Sequence, residues 1–367
     1  MATIEWAVPE NPVADPSGDA GPDADKPVIL SQPFVTNHGM GYVQTPMPSP
    51  KRFITGAVYT ASGELVTASQ RIGGFSGDQY IAADLPKVAP RRERSSLDRF
   101  GRGSDRTGTT SLDGLWVYGG HWMDHFGHFI TETLTSVPIE TGTDEPVRGL
   151  VMHPTLPTRH ATVNDWRDRL SDLAGLPTRR HIVSNGDCFP ERLVVARRRL
   201  SLNAFARPGA TALWDRVRDA VVPDPQPSER IFFSRRRFES ALAEKDPNAV
   251  NNRASLAWNA EELEASFERA GFRVVHPETL SIDDQIRTVA NAAVIAGGSG
   301  TALHLSAFAT AGTRVLELGD LRTGARPLPN QRVVCSAQGQ EMAYIPADPD
   351  SDESQNDRLD RIFADLF

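Results

Sequence analysis

Two short stretches hold most of the residues able to do chemistry. The first contains His121, Asp124, His125, His128 and Glu132, at spacings of three, four and seven. On a helix these side chains share one broad face, so a helix is expected across HWMDHFGHFITETLTSV. Three uses fit that face. A histidine beside a carboxylate takes a proton from a hydroxyl near neutral pH, which makes His128, Asp124 and Glu132 candidate catalytic residues. His121, His125 and His128 would instead supply zinc ligands, although the H-E-x-x-H spacing is absent. The third use is an ordinary helix start in which Asp and Glu favour the dipole. The second stretch is Gly297-Gly298-Ser299-Gly300-Thr301, between an apolar run and a helical pattern. A strand, a glycine turn and a helix gather free N–H groups and the positive end of the dipole at one point, which suits a phosphate or diphosphate. A tight turn that merely needs positive φ has the same composition.

Sharper versions of the glycine turn fail on single residues. The dinucleotide fingerprint G-x-G-x-x-G requires glycine where Leu303 stands, which argues against an NAD-dependent enzyme. The hydrolase elbow G-x-S-x-G requires glycine where Thr301 stands. No G-x-x-x-x-G-K-[ST] occurs. Arg235, Arg236 and Arg237 directly follow the apolar run IFFS, and Arg253 lies shortly beyond. Arginine's planar fork matches diphosphate oxygens, so Arg235 and Arg253 are candidate diphosphate ligands, the alternative being a solvated basic turn. Glu317 ends the run RVLEL, where a carboxylate would hold ribose hydroxyls or simply face water at an edge. The basic stretch 86–109 reads as a solvated loop or as a loop beside a phosphate site.

The elements that must position these residues follow from patterning. The chain has 367 residues, and its 47 acidic and 39 basic side chains give a net charge of −8. Length suggests about two domains. The charge is uneven: residues 1–26 and 348–367 each carry −5, leaving +2 for the body. Acidity argues against a nucleic-acid binder but not against an anionic small molecule. Two distant cysteines, Cys188 and Cys335, exclude a disulfide framework and a zinc ribbon. No apolar run is long enough to span a membrane, and the N-terminus lacks a secretory signal pattern, so a cytoplasmic location is expected.

Residues 1–26 read as a disordered acidic arm, and 27–90 as β-rich. From about 111 strands alternate with helices, and 27–222 is expected to form the β-rich segment plus an acceptor-side α/β domain. The proline-rich 223–229 marks a boundary. The α/β pattern restarts over 229–346, with Asn259 and Glu262 as a capping box and Ser281 as a second cap. Leu359, Ile362, Phe363, Leu366 and Phe367 predict an amphipathic helix over 356–367. The fold class is therefore α/β: two Rossmann-like domains facing a cleft, a GT-B-like architecture with a β-rich N-terminal segment.

The block from SRRRF through NRASLAWNAEEL, GFRVVHPETLSIDDQ and AGGSGTALHL to RVLELG resembles the catalytic region of family 61 glycosyltransferases, which includes bacterial capsular-polysaccharide-type enzymes. The similarity is carried by Arg235, Arg253, Asn259 with Glu261, Gly271-Phe272, Pro277 to Ser281, Gln285 and Gly298-Ser299-Gly300-Thr301. Upstream, His128 and Glu132 stand in matching places of a histidine-containing helix. The family's turn histidine is Ser299 here, and a following asparagine is missing from Ala302-Leu303-His304-Leu305. The resemblance implies an inverting, metal-independent transferase. It would have no cofactor beyond the nucleotide-sugar donor, which is its substrate, and would use a glycan or other hydroxyl acceptor. The resemblance implies donor contacts at Arg235, Arg253, Gly298, Ser299, Gly300 and Thr301, to which the reading of the residues adds Glu317; without the turn histidine, His304 or an arginine would serve as leaving-group donor, or activity would be altered or lost. A non-catalytic nucleotide- or glycan-binding module is the alternative. Peripheral membrane contact and homo-oligomerisation stay open.

Overall fold

The computed structural model describes residues 4–12, 14–15, 26–43, 51–69, 72–76, 79–82, 109–154, 165–183, 186–245, 258–320, 323, 326–348 and 353–367. Arg253 and nearly all of the basic stretch 86–109 lie outside the described residues. The chain is mixed α/β and divides into two compact units, one of residues 12–213 and one of residues 1–11 with 214–367. That division falls ahead of the expected proline-rich boundary. Helix α3 (Ala212–Val221) belongs mostly to the second unit, where Arg218 donates to the Ala309 carbonyl at 3.4 Å.

The first unit is built on a seven-stranded sheet. Its strands are β1 (Val28–Ser31), β2 (Phe34–Val43), β3 (Lys51–Tyr59), β6 (Thr110–Trp122), β7 (Val147–Pro154), β8 (Arg180–Ile182) and β9 (Asp187–Val195). Two small hairpins, β4 (Ile72–Ser76) with β5 (Gln79–Ala82) and β10 (Leu200–Ser201) with β11 (Phe205–Ala206), stand apart. Strands β6 to β9 run parallel, in the order β9-β6-β7-β8. The β-rich segment is not a separate layer: β1 and β2 pair antiparallel with β9, and β3 with β2. β9 therefore joins the two patterns, parallel on one side and antiparallel on the other. Its register is held by Leu193 and Val195, which pack with Val35, Val58, Trp116 and Tyr118 in one buried cluster.

The helix expected from His121 onward begins later. β6 continues through His121 to Trp122, and the helical segment is composite: α1 (Phe126–His128), a π turn (Phe129–Thr133) and a 3-10 turn (Leu134–Ser136). The reason lies in its hydroxyl residues. Thr131 donates to the Gly127 carbonyl, Thr135 to Thr131 and Ser136 to Glu132, each four residues back. Such bonds compete with the regular ladder and bend helices. Helix α2 (Asp165–Leu173) follows β7.

The second unit holds a five-stranded, wholly parallel sheet. It contains β12 (Glu229–Phe233), β13 (Arg273–Val275), β14 (Ala292–Gly298), β15 (Arg314–Leu318) and β16 (Met342–Ile345) in the order β13-β12-β14-β15-β16. Near-continuous apolar runs such as IFF and VLEL suit a sheet buried on both faces. Its helices are α4 (Arg236–Lys245), α5 (Ala260–Arg269), α6 (Ile282–Ala290), α7 (Pro329–Gln338) and α8 (Gln355–Leu366), with an eight-residue 3-10 helix at Thr301–Phe308.

Asn259 caps α5 by accepting from the amides of Glu261 and Glu262. Its own amide donates not to Glu262, as a capping box would require, but to Gln355 of α8 at 2.8 Å. The C-terminal helix docks as its periodicity predicts: Leu359, Ile362 and Phe363 are buried, with the Phe363 ring 4.8 Å from that of Phe267. Part of the arm expected to be disordered is placed too. Ala7 forms an antiparallel bridge with Met342, and the Trp6 ring lies 6.0 Å from Phe367 with Arg314 over it. Strand β16 is the sheet edge, and this segment covers it.

Candidate functional site

The order β13-β12-β14 reverses direction between β12 and β14. In open parallel sheets, ligands sit outside the carboxyl ends of strands at such a switch point. Here those ends deliver Ser234-Arg235 from β12 and Gly298-Ser299 from β14 to the lining of one cleft, with Glu239, Trp258 and Asp320. Arg235 and the glycine turn are thus brought together. A Cβ on Gly300, whose φ is 157°, would lie only 3.2 Å from Arg235 Nη1. Arg235 Nε is steered by Glu239 at 3.3 Å, and its guanidinium lies 5.4 Å from the Phe238 ring centre. Its terminal nitrogen Nη1 lies beside the turn. The amides of Gly300 and Thr301 precede the first hydrogen bond of the 3-10 helix, Leu303 N to Gly300 O at 3.1 Å. They are the orphan donors of a helix start.

The base of this turn is a network not apparent in the sequence. Buried Glu264 of α5 accepts from Ser234 Oγ at 2.5 Å and pairs with Arg236 at 2.9 Å, and the Arg236 amide donates to Ser234 Oγ. The residue after β12, Ser234, is therefore anchored from below, next to Arg235.

Three residues assigned to donor binding sit differently from expectation. Ser299 is buried, and its hydroxyl donates to Glu317 Oε1 and to the Leu318 carbonyl at 3.1 Å. Glu317 is fully buried and also accepts from the Leu328 amide at 3.2 Å, so it is no surface carboxylate for ribose. His304 turns inward: Nδ1 donates to Gln331 Oε1 at 2.8 Å, and Nε2 accepts from Asn330 Nδ2 at 3.1 Å. Both ring nitrogens are occupied by α7, which leaves no proton for a leaving group.

The histidine stretch of the first unit separates into three environments. His128 is 36% exposed, and its Nδ1 lies 2.6 Å from Oε2 of Glu132, which is 2% exposed. The buried carboxylate accepts from Nδ1, so Nε2 is the basic atom. Asp124 pairs with Arg167 at 3.5 Å, and burial pushes the Arg167 guanidinium below its ordinary value. His121 stands on β6, buried, with Nδ1 accepting from Arg198 at 3.0 Å. Arg198 also donates to Ser136 and bonds Tyr118, whose phenol burial pushes up to about 12. Gly120 (φ 72°) makes this approach feasible, since a Cβ there would lie 3.1 Å from Arg198 Nη2. The zinc alternative does not assemble: His121 faces Arg198, and among the described residues no three His, Cys, Asp or Glu side chains form a metal group.

Compared with known families, residues 126–316 match the model of Glycosyltransferase 61. The chain belongs to the glycosyltransferase 61 family. Membership implies a nucleotide-sugar donor and an acceptor, and the matched span reaches from the start of α1 into β15. It takes in His128, Glu132, Arg235 and the glycine turn. No curated protein matches the chain. No helix among the described residues of this glycosyltransferase is long and apolar enough to cross a membrane.

Proposed function

We propose that this family 61 glycosyltransferase is an enzyme of GT-B type that inverts the anomeric carbon of its donor in one displacement without a metal ion. The second unit binds the nucleotide sugar. Arg235 and the amides of Gly300 and Thr301 hold the diphosphate and stabilise its charge as it leaves. The first unit binds the acceptor, a glycan or other hydroxyl. His128 Nε2 takes the hydroxyl proton while Glu132 holds Nδ1 and steadies the imidazolium. The hydroxyl oxygen bonds to the anomeric carbon, the bond from that carbon to the phosphate oxygen breaks, and the electron pair departs with the nucleoside diphosphate.

One observation carries the reading: the Arg235 guanidinium reaches the glycine turn at the reversal of the parallel sheet. It is tested by incubating the protein with UDP-, GDP-, CMP- and dTDP-sugars. The expected result is release of nucleotide from at least one, and a product of inverted configuration by NMR. Retention of configuration would refute the single displacement. Binding without turnover would make the chain a sugar-nucleotide-binding module instead.

A further inference from the structure

Glu317 lies fully buried on β15, an interior strand of the sheet, yet it is tied to the cleft on two sides. Its Oε1 accepts from the hydroxyl of Ser299 in the glycine turn and from the amide of Leu328, the residue that opens α7. Ser299 is further pinned because its own amide donates to Leu318 O at 2.8 Å. One carboxylate oxygen thus joins the turn after β14 to the helix after β15. Its charge adds to burial in raising the Cys335 thiol to about 12, and to burial in raising the Tyr344 phenol. A buried carboxylate is costly unless it is well engaged. What it supplies in return is a hydrogen bond shorter and stronger than a neutral acceptor makes. The residue so held immediately precedes Gly300, whose backbone, at φ 157°, must stay in place for Arg235 to lie beside it.

We infer that Glu317 is a positioning residue: it acts through the Ser299 hydroxyl to fix the turn, so that the Gly300 and Thr301 amides converge with Arg235 on one anion, and it touches no donor atom. This rests on the diphosphate reading given above. Ser299 then serves the site from beneath, by orientation rather than by donating a proton to the leaving group.

The experiment is a double-mutant cycle, Ser299→Ala, Glu317→Gln and both together. It has two readouts: affinity for UDP, GDP, dTDP and CMP by calorimetry, and amide hydrogen exchange over residues 297–305. Each single variant is expected to weaken whichever nucleotide the parent protein binds by about tenfold, the worth of one charge-assisted hydrogen bond. The double variant is expected to lose no more than the worse single one, because the two residues act as one unit. Exchange in the turn is expected to rise in all three, and a Ser299→Thr variant, which keeps the hydroxyl, to restore both readouts. Additive losses, or parent-like affinity and exchange in the folded single variants, overturn the inference. Should Glu317→Gln not fold, Ser299→Ala against Ser299→Thr decides, since the first removes one oxygen atom. A parent protein that binds none of the four nucleotides defeats the diphosphate reading, whereas the exchange measurement still judges whether Glu317 orders the turn.

Discussion

At the ends of β12 and β14 the chemistry rests on backbone: two helix-start amides, a glycine with φ of 157° and a single arginine laid beside it. At the end of β6 it rests on side chains: a half-exposed histidine held by a buried glutamate on a turn of π helix. The first arrangement follows sheet topology, with Arg235 beside the glycine turn and the Ser299–Glu317 hydrogen bond beneath it. The second depends on hydroxyl back-bonds that pull the helix out of register. The first suits holding a fixed charge, and the second suits moving a proton. Mutations in the two regions should therefore fail in different ways.

The largest effect is expected at His128. His128→Ala should lower kcat by about 100- to 10,000-fold, the range for loss of a general base, with nucleotide affinity unchanged in a binding assay. Next, Arg235→Ala should lower kcat/KM by about 100-fold, the scale of one electrostatic donor, and should weaken nucleotide binding as well. If His128→Ala weakened nucleotide binding and Arg235→Ala did not, the division of labour between the two regions would be reversed. Gly300→Ala should weaken nucleotide binding by about tenfold, because a strained φ costs about 1–3 kcal/mol and the new methyl group crowds Arg235.

Legibility in the sequence followed the same divide. The parallel alternation, the cap at Asn259, the C-terminal helix and the Arg235–glycine turn pairing were all readable, because each depends on local periodicity or on strand ends meeting at a reversal. The His128–Glu132 pair was readable because i,i+4 neighbours meet on α and near-α geometry alike. What escaped were partners far apart in sequence. Nothing local says that Glu317 takes the Ser299 hydroxyl, that Glu264 anchors Ser234, or that Gln331 and Asn330 claim both nitrogens of His304. Residues 4–11 are ordered against an acidic, proline-broken composition, because one tryptophan packs on Phe367 and an edge strand takes Ala7 as cover. His121 was misplaced because β6 runs two residues past the Gly119-Gly120 pair that looked like its end.

The smallest effect concerns neither region. Cys188 and Cys335 are buried, and burial pushes both thiols from 9.0 up to about 12. Neither should react with iodoacetamide at pH 8 in the folded protein, and both should react in denaturant. The neutral thiol is favoured on folding, so the associated stability is fully present below pH 9 and is lost as pH rises toward 12. A melting temperature that falls with rising pH across that window would agree, and brisk labelling at pH 8 would not.

The central claim is that the reversal of the parallel sheet, with Arg235 and the glycine turn, holds the diphosphate of a sugar donor. Its most direct test is thermal shift of the parent protein and of Arg235→Ala against UDP-, GDP-, CMP- and dTDP-sugars. The account predicts that at least one donor raises the melting temperature of the parent and that the same donor leaves Arg235→Ala unshifted. Equal shifts in both proteins, or none in the parent, would contradict it.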